Sequence, residues 1–361
     1  MRRIAALTSG GDAPGMNASL RAVAKVAAAN NLEAIGVEQG YEGLVDGRFV
    51  DLTVRLGPER VRSDREVDAA GGLGGTILGS SRSERFLLEE HRRAAADGLR
   101  AAEVDGLIVI GGNGSAAGAH AFAPLFPVAV VPASIDNDVG CTRYALGVDT
   151  ALNTIVDACD RISDTARAHK RVFIVEVMGR QSGYLAMSSA VAAAADAMLI
   201  PERHRTEAEL LDSVERVVRT SFEQDRAKRR VLIIKAEGVP YPTTRLTRDV
   251  AARVAQDLPD VEVRATVLGH LVRGGSPTFR DRMIAGRFGL AAVAALLDGA
   301  GDEMVAWEPA VEGGTPTRDP SVQRFPLDHV LAETEALLDG SSPVTQRRVK
   351  MTEAIEGVLA L

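Results

Sequence analysis

The sequence predicts an α/β protein whose parallel sheets are covered by helices on both faces. Three observations carry this. Short continuous apolar runs, rather than alternating ones, recur along the chain between Ala-rich helical stretches, the pattern of strands buried on both faces. Each run ends in glycine or a polar turn, and the carboxyl edge of such sheets is where ligands bind. The composition is 46% hydrophobic but only 4% aromatic, with 35 glycines, which suits close helix–strand packing.

In chain order, Ile4–Thr8 reads as a strand leading into Ser9-Gly10-Gly11-Asp12, and Met16–Ala29 as the following helix. Leu107–Ile110 leads into Gly111-Gly112-Asn113-Gly114-Ser115 and a second Ala-rich helix. Val128–Val131 leads into Pro132-Ala133-Ser134-Ile135-Asp136-Asn137-Asp138. Val172–Val177 leads into Met178-Gly179-Arg180, and Val231–Lys235 into Ala236-Glu237-Gly238. Asp64–Gly75 and Pro240–Asp257 read as surface connections, and the charged run Glu223–Arg230 as a solvated helix end.

A length of 361 residues suggests two domains or one large α/β unit. The net charge of −7, from 42 basic and 49 acidic residues, excludes a surface built to coat nucleic-acid phosphates. Two cysteines, Cys141 and Cys159, form neither a disulfide framework nor a repeated metal-ligand spacing. MRRIAALTSGG lacks the apolar core of a signal peptide, and Tyr184–Ile200 is broken by Ser188, Ser189 and Asp196, so a cytoplasmic protein that does not span a membrane is expected.

The loops suggest chemistry. In Thr8–Gly15, consecutive glycines allow backbone N–H groups to approach an anion at a helix start, although no Gly-Lys-Ser/Thr follows as in a Walker A loop. Gly112–Ala117 matches G-x-G-x-x-A, with Asp136 about 20 residues on, and suits a dinucleotide or the phosphates of a nucleoside triphosphate equally. Asp136 and Asp138, two residues apart, can divide labour between a reacting hydroxyl and a metal, or form an Asx-rich turn. Arg171, Arg180, Arg264, His270 and Arg273 near strand ends and glycine turns offer paired donors for phosphate oxygens.

Taken together, TSGGDAPGMNA, GGTILGSSR, GGNGS, SIDND, VEVMGR and RATVLGHLVRGGSP stand in an order and spacing that resembles the phosphofructokinase family, from Ile4 to about Gly299. The resemblance implies two Rossmann-like three-layer αβα domains with the active site in the cleft between them. A nucleotide domain would comprise 1–147 with about 272–322, and a sugar-phosphate domain 148–271 with about 323–361. It implies transfer of the γ-phosphoryl of ATP, with Mg²⁺, to the 1-hydroxyl of fructose 6-phosphate in glycolysis, by a homotetramer. Gly10, Gly11, Arg82, Ser83, Gly112, Asn113, Gly114 and Ser115 would meet ATP. Asp136 would be the general base, Ser134 and Arg180 its catalytic companions, and Asp138 with Asn113 the metal contacts. Met178, Gly179 and Glu237 would shape the sugar pocket. Arg171, Arg264, His270 and Arg273 would hold the 6-phosphate, the first two reaching in from a neighbouring subunit. Arg82, Arg171, Arg180, Arg264 and Arg273 are expected to converge on one cleft.

Departures from the family pattern sharpen the expectations. Asn113 stands where the family carries an acidic metal contact, which implies weaker metal binding or a slow, regulatory paralogue. Gly114 and Ala133 stand where pyrophosphate users carry Asp and Lys, which favours ATP. Arg21, Lys25 and Asp196 resemble effector-site positions, but Ser163 replaces an arginine there, which implies weakened effector control. The phosphate grip does not select the acceptor, so another sugar phosphate such as sedoheptulose 7-phosphate is the alternative.

Overall fold

The computed structural model describes residues 1–222 and 230–359, with side chains given to Ile355; of the Glu223–Arg230 run, only Arg230 falls within it. The chain forms two compact units, residues 1–150 with 273–337 and residues 151–272 with 338–361. The first is built on an eight-stranded sheet. At its centre β1 (Arg3–Ser9) pairs in parallel with β2 (Glu33–Val37) and with β6 (Gly106–Gly111). Beyond β6 follow β7 (Val128–Pro132) and β12 (Asp302–Trp307), also parallel. Antiparallel strands close the edges: β3 (Phe49–Asp51) on β2, then β14 (Val322–Pro326) on β12 and β13 (Thr315–Pro316) on β14. A hairpin of β4 (Thr53–Gly57) and β5 (Arg60–Ser63) stands apart.

Every residue of β6 and β7 is buried, as continuous apolar runs require when helices cover both faces. Helices α1 (Met16–Ala29) and α10 (Phe279–Leu297) pack on one another, as do α2 (Gly40–Asp46) and α4 (Glu89–Ala101). α5 (Asn113–Phe122) packs on β6 and β7. Ala5 and Leu7 of β1 join Tyr41, Leu44, Leu99 and Phe122 in one core. Ile4 and Ala6, equally buried, alternate with them toward the other face. Short α3 (Arg65–Ala70) is started by Asp64, whose side chain accepts from Glu66 N (2.8 Å). The stretch Asp64–Gly75 is therefore a capped helix and a turn rather than a plain connection.

The second unit carries a four-stranded, all-parallel sheet in the order β11 (Glu262–Val267), β8 (Arg171–Val177), β10 (Arg230–Ala236), β9 (Ala197–Leu199). Its helices are α6 (Val148–His169), which begins in the first unit, α7 (Tyr184–Ala192), α8 (Glu207–Phe222), α9 (Thr243–Val254) and α12 (Pro343–Leu359). α11 (Leu327–Asp339) carries the chain back. One expectation is corrected here: Pro240–Asp257 is mostly helix α9, buried along Thr243, Leu246, Val250 and Val254. The chain returns to the second unit at Leu338, after β14 has paired with β12. Among the described residues no helix is long and apolar enough to cross a membrane.

Candidate active site

β1 and β6 are neighbours whose connections leave in opposite directions, through α1 to β2 and through α5 to β7. That is a topological switch point, where the loops splay and leave a crevice. A cavity of about 550 Å³ lies there, lined by Ser9, Gly10, Gly11, Gly112, Asn113, Gly114, Ser115, Ser134 and Asp136, with Arg82, Ser83 and Arg273. Gly10 has φ +84°, a conformation that side chains rarely adopt, and its carbonyl accepts from Ser80 Oγ (2.5 Å). The amino end of α5 has no side-chain cap, and a Cβ on Gly114 would meet only open space. Uncapped amides at a helix start attract an anion. Arg273 Nη1 donates to Asp12 O (3.1 Å), and a Cβ on Gly11 would stand 2.7 Å from it.

Sequence reasoning missed the apolar end of this cavity: Tyr41, Phe86, Leu87, Ala117, Gly118 and Ala121. Tyr41 stacks on Phe86 with centroids 4.2 Å apart, and its hydroxyl donates to Ser115 O (2.6 Å). Burial pushes its phenol far up. A Cβ on Gly118 would lie 2.9 Å from the Tyr41 ring. The available signal was the small-residue stripe Ala117, Gly118, Ala121 at helical spacing. Ser83 contributes differently from expectation. Its hydroxyl donates to Glu42 Oε2 (2.5 Å) and accepts from Phe86 N (3.2 Å), so it holds the cavity wall.

The carboxylates hang from β7. Ser134 N donates to Leu146 O (3.1 Å), Asn137 takes the left-handed conformation at φ +48°, and its side chain bridges Arg143 O (3.0 Å) and Ala145 N (3.1 Å). Asp136 is half-buried in the cavity wall. Asp138 accepts from Ser134 Oγ (2.8 Å) on one oxygen and Asn113 Nδ2 (2.8 Å) on the other. Asn113 Oδ1 is buried with no hydrogen-bond partner. Among the described residues no three His, Cys, Asp or Glu gather as a metal cage. One carboxylate beside an orphaned amide oxygen suits Mg²⁺ only where substrate phosphates complete its shell, the usual habit of that ion.

In the second unit, the carboxyl edge of the sheet gathers Met178, Gly179, Arg180 and Glu237. Glu237 N donates to Val177 O (2.9 Å) and Gly238 N to Gly179 O (3.1 Å). A Cβ on Gly179 (φ +125°) would fall 2.3 Å from Ser182 O, and one on Gly238 1.8 Å from Arg180 O. Met178 is buried. Arg180 is largely exposed, its Nε 3.8 Å from Glu237 Oε1. Beneath them a buried Lys235 Nζ pairs with Glu176 Oε2 (3.0 Å). A cavity of about 870 Å³ opens beside Arg180 and Gly238 toward His204, Arg205 and Lys350. His270 is exposed in the turn Gly269–Arg273.

Not all the expected residues meet within one chain. Arg171 opens β8 and Met178 follows its end, so about 20 Å of strand separates them. Arg171 Nε instead binds Glu262 Oε2 (2.8 Å), which Arg264 Nη2 also approaches (3.2 Å). Within one chain, therefore, these two arginines do not converge with Met178. Of the effector-like positions, Lys25 Nζ binds Asp68 Oδ2 (2.8 Å) and Arg21 Nε lies 3.8 Å from Oδ1. Asp196 is buried and accepts from Leu232 N (2.8 Å), while Ser163 Oγ accepts from Arg230 Nη1 (2.7 Å). Each of these side chains thus has an internal partner.

Doubly wound sheets with glycine loops at a switch point define an α/β protein of the phosphate-ligand class. The chain belongs to the phosphofructokinase family, whose model, described as Phosphofructokinase, matches residues 3–296. It is 46% identical over 310 residues to the ATP-dependent 6-phosphofructokinase of Thermotoga neapolitana, covering 85% of this chain and 90% of that one. It is 41% identical over 348 residues to ATP-dependent 6-phosphofructokinase 1 of Thermus thermophilus, covering 94% and 99%. The solved structure of phosphofructokinase from Saccharomyces cerevisiae superposes with a TM-score of 0.81 at 31% identity. That match covers 99% of this chain, which spans 50% of the yeast chain.

Proposed function

We propose that this chain is an ATP-dependent 6-phosphofructokinase, moving the γ-phosphoryl group of ATP to the 1-hydroxyl of fructose 6-phosphate and leaving fructose 1,6-bisphosphate and ADP. The observation that carries the reading is that Asp136 lines the same cavity as both glycine loops. The amides of Gly10, Gly11 and the start of α5 cradle the donor phosphates, and the Arg82 guanidinium offsets their charge. Tyr41 and Phe86 give the nucleoside an apolar shelf. Asp136 accepts the proton of the attacking hydroxyl, and Arg180 spreads stabilisation over the transferring group. Asp138 and Asn113 Oδ1 would hold Mg²⁺, whose chemistry is neutralisation of phosphate charge. Gly114 leaves room for an α-phosphate and nucleoside, and Ala133 supplies no lysine charge for a small diphosphate, which favours ATP over pyrophosphate.

Met178, Gly179 and Glu237 face the sugar, and His270 and Arg273 take the 6-phosphate. Arg171 and Arg264 serve a neighbouring copy in a homotetramer. Arg171 stands about 20 Å along β8 from Met178, and Arg264 on β11 pairs in register with Phe173 rather than with the carboxyl end of β8, which supports that assignment. Two free, buried thiols agree with a cytoplasmic setting.

The test is a coupled assay with ATP or pyrophosphate as donor and fructose 6-phosphate or sedoheptulose 7-phosphate as acceptor. Turnover is expected with ATP and fructose 6-phosphate, and Asp136→Asn is expected to lower kcat by about 10²–10⁴. Equal rates in wild type and Asp136→Asn reject the mechanism; a preference for sedoheptulose 7-phosphate rejects the acceptor.

A further inference from the structure

None of the steps above uses Asp281, although it sits where the ligand-facing loops of the first unit meet. Its side chain is 1% exposed on the first turn of α10. Gly147 N donates to Oδ1 (3.0 Å), while Thr150 N (2.9 Å) and Thr150 Oγ1 (2.5 Å) donate to Oδ2. One carboxylate thus caps the start of α6 from the start of α10. Thr278 completes the joint: its N donates to Thr150 Oγ1 (3.0 Å), its hydroxyl to Asp149 Oδ2 (2.7 Å), and Asp281 N donates back to that hydroxyl (3.3 Å).

What Asp281 holds is a wedge. Gly147 has φ +97°, and a Cβ there would lie 2.7 Å from Ala13 Cβ and 3.2 Å from both Pro14 Cδ and Ile135 Cγ2. Ala13 and Pro14 close the loop that carries Gly10 and Gly11; Ile135 adjoins Asp136. Leu146 N donates to Pro132 O (3.0 Å), and Leu146 O accepts from Ser134 N (3.1 Å), so the same segment clamps the end of β7. A Cβ on Gly15 would stand 3.7 Å from Asp281 Cβ. A shift of Gly147 therefore moves the donor loop and the Asp136 loop relative to each other.

A carboxylate is a costly way to fill this space if packing were its whole purpose. Burial pushes its carboxyl above the usual range, although Thr150 and Gly147 pull the other way. Its three donors converge from a single helix start, which fixes direction as well as volume.

We propose that Asp281 is a positioning residue for phosphoryl transfer, setting through Gly147 the spacing between the phosphate-binding glycine loop and the general base. The proposal rests on the kinase reading above. It is tested by steady-state kinetics of wild type, Asp281→Asn, Thr150→Ser and Thr150→Val. ATP and fructose 6-phosphate are varied in turn, rates are expressed per nucleotide-binding site, and folding is followed by circular dichroism. Asp281→Asn is expected to lose about 10- to 100-fold in kcat and to raise KM for ATP. KM for fructose 6-phosphate, whose proposed contacts lie mainly on the second unit, should stay within about twofold. Thr150→Ser keeps the hydroxyl and should match wild type, while Thr150→Val should fall in the same direction as Asp281→Asn. If Asp281→Asn does not fold, the Thr150 pair decides.

Unchanged kcat and KM for ATP in both Asp281→Asn and Thr150→Val overturn the proposal. So does a loss of rate that only follows the folded fraction, with both KM values intact. A wild type without turnover rejects the kinase reading and this proposal with it; an active wild type with unaffected variants rejects this proposal alone.

Discussion

At the scale of single residues, Asn113 has the most local effect on the site. Its amide nitrogen sits 2.8 Å from Asp138 Oδ2, a spacing at which two carboxylates repel unless a cation or proton lies between them. Asn113 instead donates a hydrogen bond to Asp138 at this spacing. Asn113→Asp is expected to create a divalent site in the nucleotide-free protein, seen as Mn²⁺ binding by electron paramagnetic resonance. Identical titrations of wild type and variant would reject a metal-facing role for Asn113. The sequence shows an amide at this position. Its hydrogen bond to Asp138 depends on Gly112–Asn113 and Ser134–Asp138 meeting from neighbouring strands, which spacing along the chain does not encode.

At the scale of elements, the parallel strands were legible because a strand buried on both faces must be apolar throughout, and β1, β6, β7, β8 and β10 contain the expected runs. Helix α9 was misread because Pro240 and Pro242 suggest a loop. Yet Pro242 is its N-cap, and Leu246, Val250 and Val254 follow at helical spacing. Close loop approaches belong to this scale too. A Cβ on Gly238 would fall 1.8 Å from the backbone oxygen of Arg180, which no rotamer change relieves. Gly238→Ala is expected to cost about 1–3 kcal/mol, measured by urea unfolding, and to lower kcat by displacing Arg180. Wild-type stability in this variant would show that the turn yields freely.

At the scale of the molecule, charge pairing sets the acid limit. Hydrogen bonds from Arg55 and Arg3 hold the Glu33 carboxyl below the usual range, and Arg287 does the same for Asp319. Such groups contribute stability above their unfolded pKa near about 4, lost as pH falls through the depressed folded values. Asp281 has the opposite sign: its stabilisation is full below the unfolded pKa and is lost as pH rises through its raised folded value. Among the described residues the lowered carboxyls outnumber the raised ones, so the urea midpoint is expected to fall between pH 5 and about 3; an unchanged midpoint would contradict this. The proposal that neighbouring copies share the sugar site predicts complementation. Mixed subunits of inactive Asp136→Asn and Arg171→Ala should regain activity, since some sites then combine an intact base with an intact neighbouring arginine. No gain on mixing rejects sharing. The sequence by itself determined the alternation of strands and helices, the loops at strand ends and the residue types that suit phosphate, because hydrophobic periodicity and turn chemistry are local. Only the tertiary structure decided which loops meet: that Asp136 shares a cavity with two glycine loops, that Arg171 and Arg264 turn to Glu262, and that one buried carboxylate on α10 holds the start of α6. Those meetings depend on strand order and helix packing between residues far apart in the chain.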